Sequence, residues 1–186
     1  MALFQHMKYL CLLRGINVSG QKLIKMTELQ DMFETMGYTQ VSYYIQSGNM
    51  VFSSGNSDLQ EMKLAIQQHI LRRFGFEVVA FVYDLPMWLH VVSANPFAEA
   101  PYGDLSFMYV TLAEHPLSSE KQETLLQKCT AGEKFMIDGT TLYLYYPNGY
   151  GKSKLSNNVI EAVFKTTTTT RNWKTTLELA QRIQTI

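Results

Sequence analysis

Five apolar residues in a row, Tyr9-Leu10-Cys11-Leu12-Leu13, end abruptly at Arg14-Gly15. The run is far shorter than the roughly 18 residues that a membrane span needs. It reads as a strand, and both of its alternate sets, Tyr9/Cys11/Leu13 and Leu10/Leu12, are apolar, so neither face suits water. A second stretch repeats the pattern, with Tyr143 and Tyr145 on one face and Leu142, Leu144 and Tyr146 on the other. Helices on one side of a sheet would leave a polar alternate set. A second layer is therefore expected on each sheet, supplied by the other half's sheet or by a second subunit.

The periodicity around these strands sets the order of elements. Residues 8–14 form the first strand, and Thr27 with Gln30 reads as a capping box opening a helix. Leu29, Met32, Phe33 and Met36 fall on one face of that helix, and Gly37 suits its end. Residues 41–46 and 50–53 flank Ser47-Gly48-Asn49, a hairpin signal. Asp58 with Glu61 opens the next helix, Leu59, Met62, Ile66 and Ile70 line its inner face, and Gly75 ends it before a strand at 77–83. The sum is β-α-β-β-α-β, the split βαβ or ferredoxin-like unit.

The same order recurs further on. Asp84 caps a short connecting helix through Trp88 that stops before Asn95-Pro96. A strand at 107–112 leads to a helix capped by Ser119 with Gln122 and carrying Leu125, Leu126 and Cys129. Residues 135–137 and 141–146 flank Asp138-Gly139, a strong hairpin dipeptide. Leu155, Val159 and Val163, then Trp173, Leu177 and Ala180, mark two final helices. This half reads β-α-β-β-α plus an extra helix, an imperfect copy of the first. The expectation is an α+β protein of two ferredoxin-like halves with antiparallel sheets, residues 1–84 and 85–186, packed as one.

Composition narrows the setting. The chain has 186 residues, enough for a sizeable core without disulfide or metal, and 46% are hydrophobic, which excludes disorder. Sixteen basic residues balance sixteen acidic ones, so the electrostatic footprint of a duplex-coating protein is missing. The opening residues 1–8 precede an apolar run too short for a signal peptide, and no apolar stretch suits a membrane helix. Cys11 and Cys129 form no close pair and read as reduced thiols of a cytoplasmic protein. His6, His69, His90 and His115 are scattered singly, and no Cys/His spacing suits zinc, so neither metal nor cofactor is expected.

In a ferredoxin-like unit the first strand pairs antiparallel with the third. The end of strand one, Arg14-Gly15-Ile16-Asn17, should therefore meet the hairpin Gln46-Ser47-Gly48-Asn49, with Lys25 near the end of the intervening loop. Arg14, Gly15, Asn17, Lys25, Gln46, Ser47 and Asn49 form the first candidate site, a cationic, amide-rich rim suited to phosphate or carboxylate. The competing structural role is that these side chains satisfy loop backbone groups. No carboxylate or histidine lies in either loop, which favours binding over acid–base catalysis.

A second candidate anion site joins Lys152, Ser153 and Lys154 with Arg171 and Asn172. The run Gly149-Tyr150-Gly151-Lys152-Ser153-Lys154 resembles the end of a P-loop, but Tyr146 stands where the first glycine belongs. Asn172 is a good N-cap, Trp173 begins an apolar stripe, and the threonines at 166–170 read as a β-prone tether. Single-stranded nucleic acid is disfavoured as a partner: strand three, Asn49-Met50-Val51-Phe52, lacks the aromatic signature of RNA-binding sheets.

The segments Leu12-Leu13-Arg14-Gly15-Ile16-Asn17-Val18 and Tyr44-Ile45-Gln46-Ser47-Gly48-Asn49 resemble the opening signature of the bacterial family known as domain of unknown function 1697. Asn95-Pro96-Phe97, Ser153-Lys154-Leu155 and Thr169-Thr170-Arg171-Asn172-Trp173-Lys174-Thr175 resemble its later motifs, in the same order. The resemblance implies a small soluble bacterial α+β protein with two ferredoxin-like halves, and no reaction. Ser19 departs from it, standing where the family usually has glycine. Three functions follow as expectations. The first is a module binding an anionic small molecule or nucleotide at the first candidate site. The second is a non-catalytic interaction protein, such as a homodimer. The third is an enzyme of unrecognised type acting on a nucleotide or nucleic acid, which needs an acidic or histidine side chain in a cleft beside Arg14 or Lys152.

Overall fold

The structure, a computed structural model, describes residues 6–99 and 101–186. The opening residues 1–5, part of the leader reading above, lie outside it. Strand β1 (Met7–Leu13) is followed by α1 (Met26–Thr35), β2 (Thr39–Tyr44), β3 (Asn49–Ser54), α2 (Leu59–Phe74) and β4 (Ala80–Asp84). Helix α3 (Leu85–Ser93) then leads to β5 (Met108–Ala113), α4 (Gln122–Leu126), β6 (Lys134–Asp138), β7 (Thr141–Tyr145), α5 (Asn157–Phe164), β8 (Thr168–Asn172) and α6 (Trp173–Thr185). Two four-stranded antiparallel sheets result, ordered β2-β3-β1-β4 and β6-β7-β5-β8. The protein is α+β, and the second sheet repeats the strand order of the first.

Two compact units emerge, one of the described residues through His90 together with Glu178–Ile186, the other Val91–Leu177. The final turns of α6 thus belong to the first unit, where Lys8 Nζ donates to the Gln184 carbonyl at 2.6 Å and the Arg182 guanidinium lies 4.8 Å over the Tyr44 ring.

In the first unit, Tyr9, Cys11 and Leu13 of β1 and Met50 and Phe52 of β3 pack against Leu29, Met32 and Phe33 of α1 and Met62, Ile66 and Ile70 of α2. Leu10, Leu12 and Val51, on the other face of the same strands, are equally buried, as their apolar character requires. Asp58 caps α2 by accepting from the Gln60 and Glu61 amides at 2.9 Å, and Gly75, at φ +81°, closes it. Asp84 likewise accepts from the Met87 amide at the start of α3.

Three local expectations need correction. Helix α1 begins at Met26, so Thr27 lies inside it and forms no capping box; Gln30 instead donates to Glu34 and to the Val41 carbonyl. Ser119 opens a 3₁₀ turn (Ser119–Lys121) with no side-chain cap, and α4 is only five residues long. The threonine run is a strand, not a tether. Thr170 pairs with Thr111 of β5, their hydroxyls 2.6 Å apart, so β8 completes the β-α-β-β-α-β order of the second half.

Candidate functional site

The rim at the end of β1 is built by backbone pairing on both sides. Leu13 N donates to the Gly48 carbonyl at 2.8 Å on the β3 side, and Arg14 N to the Val79 carbonyl at 2.9 Å on the β4 side. Register continues this, with Leu12 opposite Asn49 and Leu13 opposite Ala80. The structure therefore brings the Arg14–Asn17 segment and the 46–49 hairpin together.

The two asparagines of the rim are occupied by main chain. Asn17, at φ +55°, donates to the Ile24 carbonyl (3.0 Å) and the Gln46 carbonyl (2.8 Å) and accepts from the Ile24 amide (2.8 Å). It ties the loop after β1 to the hairpin. Asn49, fully buried, donates to the Tyr44 carbonyl and to Ser47 Oγ, both at 2.9 Å, and closes the hairpin on itself. The loop turns tightly: Gln21 N reaches the Val18 carbonyl at 2.9 Å, with Ser19 and Gly20 both at positive φ. Lys25, next to the Ile24 that Asn17 clamps, is exposed and lies 3.5 Å from Glu28.

Arg14 lines a groove of about 450 Å³ on the β4 side of this rim, which it shares with Lys22. Lys22 is braced by donating Nζ to the Glu77 carbonyl at 2.6 Å. The opposite wall comes from α2, where Leu64 and Leu71 are exposed by 47% and 43% and Gln68 lies between them in sequence. Gln67 is engaged: its Oε1 accepts from the Ala80 amide at 2.9 Å, giving a partner to that group on the edge strand β4. Glu77 is the carboxylate of the groove. Leu64, Gln68, Leu71 and Glu77 were not singled out from sequence. The available signal was a leucine pair seven residues apart on the outer face of α2, which interrupts an otherwise polar stripe.

The second candidate cluster is divided. Lys152 and Lys154 are exposed on and beside a 3₁₀ turn, not at a helix start, since α5 begins at Asn157. Ser153 donates its hydroxyl to Glu133 and accepts from the Leu155 amide at 3.0 Å, so a carboxylate adjoins the serine that would greet an anion. Burial pushes the Glu133 carboxyl up, but hydrogen bonds from Ser153 and from the Ala131 and Glu133 amides outweigh it and hold the pKa below the ordinary value. Arg171 is buried on β8 opposite Val110, donating to Thr169 Oγ1 and the Thr170 carbonyl. Tyr150 stacks on Tyr109, which faces the other side of the sheet from Val110. Asn172 caps α6 by accepting from the Thr175 amide at 2.8 Å.

The family model described as "Protein of unknown function (DUF1697)" matches residues 7–143, and the chain belongs to that family. Among solved structures, the conserved bacterial protein SP0830 from Streptococcus pneumoniae is similar at a TM-score of 0.73 and 21% identity, over 96% of this chain and 99% of that one. At that identity the likeness is one of fold. No curated protein matches. Among the described residues, no helix is long and apolar enough to cross a membrane.

Proposed function

We propose that the chain binds an anionic small molecule, a phosphate- or carboxylate-bearing compound such as a nucleotide, in the groove beside the end of β1. The observation that carries this reading is the presence of Arg14 and Lys22 in one groove whose far wall is the stripe of Leu64 and Leu71. A guanidinium and an ammonium together recognise an anion through charge-assisted hydrogen bonds, and the leucines take up an apolar ring or chain. The volume suits a ligand of mononucleotide size. Gly15, Asn17, Gln46, Ser47 and Asn49 act in this reading by holding the rim in register behind Arg14.

Binding stands ahead of self-association because Arg14 and Lys22 share one groove, whereas the doubly apolar strands that motivate a homodimer point to no particular partner surface. An enzyme acting on a nucleotide would draw on Glu77, the acidic side chain in the groove beside Arg14. Cys11 and Cys129 are not joined in a disulfide, which supports a reducing, cytoplasmic setting.

Thermal unfolding in the presence of a panel of phosphate and carboxylate compounds tests the proposal. A ligand at about 100 times its dissociation constant adds about 2.7 kcal/mol, a rise of roughly 5–10 °C for a chain of this size. Arg14→Ala should remove that rise. No rise with any member of the panel, or an equal rise in the variant, overturns it.

A further inference from the structure

A second cavity in the first unit, of about 430 Å³, has the opposite chemical character. It lies among the end of α1 and the residues after it (Thr35, Gly37, Tyr38), the segment after β3 (Asn56) and one face of α2 (Glu61, Ala65, His69). Neither lysine nor arginine is among its lining residues. Glu61 supplies a carboxylate, one oxygen of which accepts from Asn56 Nδ2 at 3.0 Å. Asn56 is itself fixed: its carbonyl accepts from Tyr9 Oη at 2.9 Å and its Oδ1 from the Asp58 amide at 2.9 Å. The carboxylate is thus placed by a chain of contacts reaching back into the sheet.

His69 completes the acceptor set. Its Nδ1 lies 2.8 Å from the Ala65 carbonyl, which can only accept, so Nδ1 is the donor there and in the uncharged ring Nε2 is the acceptor. Tyr38, its ring centroid 4.5 Å from that of Phe52 and tilted against it, presents an aromatic ring, and burial, with Cys11 and Glu61 nearby adding to it, pushes its phenol up to about 12. It therefore stays neutral at physiological pH. The end of α1 adds the negative pole of its helix dipole. Met36, Met62 and Ala65 give the cavity apolar wall between these groups.

Acceptors without a built-in cation, an aromatic face and an apolar lining are complementary to an ammonium on a short alkyl stem. We infer that this cavity binds a short-chain primary amine carrying a second hydrogen-bond donor, a diamine or amino alcohol, with its ammonium on Glu61 and its second donor on His69. The site is separate from the Arg14 groove and takes ligands of opposite charge.

Titration of the full chain with diaminobutane at about pH 8, where histidine is neutral, followed by the His69 imidazole signal, tests this. A saturable shift is expected, and none with butyrate. Glu61→Gln, which keeps the acceptor for Asn56, should weaken binding about tenfold or more, the loss of one charge-assisted contact. Ala65→Leu, which fills the cavity and leaves the charges in place, should also block it, so the prediction holds even if the first variant folds poorly. Absence of a saturable shift, or undiminished binding in both variants, overturns the inference.

Discussion

A methyl group at Gly48 would lie 2.8 Å from both Ile16 Cδ1 and Leu13 Cβ, and φ there is +73°. Hairpin and first strand approach so closely that only glycine fits, and Gly48→Ala should destabilise by about 2–4 kcal/mol in urea unfolding, from clash and left-handed strain together. Ser19 is the reverse case. It adopts φ +50° in the turn between Val18 and Gln21, where glycine has no such penalty, so Ser19→Gly should stabilise by roughly 1 kcal/mol in the same assay. The asparagines show where sequence stops being decisive. Asn17 and Asn49 were legible as rim residues, but an asparagine that clamps carbonyls and one that greets a ligand have the same spacing. Only the partners separate them, and those lie up to 29 residues away.

Elements were most legible where the signal is local. The cap at Asp58 and the closing Gly75 stand where the pattern places them, and Asp58→Ala should cost about 1 kcal/mol, measurable as a lower unfolding midpoint. Strand β8 was missed because five threonine-rich positions show no apolar alternation. Its hydroxyls are satisfied from afar, by Thr111 of β5, Asn157 of α5 and Glu161. The turn at Tyr150–Lys152 is anchored by Glu133, whose carboxyl is held below its ordinary pKa. The carboxylate form then contributes stability that is present above the ordinary glutamate range and fades as pH falls through the folded value. Glu133→Gln should accordingly flatten the acid limb of stability against pH, read from unfolding midpoints between about pH 6 and pH 3.

At the scale of the molecule, strands apolar on both faces and two repeated element orders made the two-sheet α+β plan legible, and a protein only 21% identical shares it. The groove was not legible in the same way. It needs α2, the loop after β1 and the residues before β4 at one edge of a sheet, and no local pattern couples them. Equal numbers of acidic and basic residues leave no net charge to draw an anion from a distance, so its attraction is assigned to Arg14 and Lys22. Raising salt should therefore weaken binding through local screening and change the association rate by less than about tenfold, checked by stopped-flow mixing at low and high ionic strength. The most direct test of the groove is an NMR titration of the full chain with inorganic phosphate. The account predicts shifts centred on the Arg14 guanidinium, Lys22 and the Gln68 side-chain amide, with the Asn49 side-chain amide unmoved. Shifts centred on Ser47 and Asn49, or none at all, would contradict it.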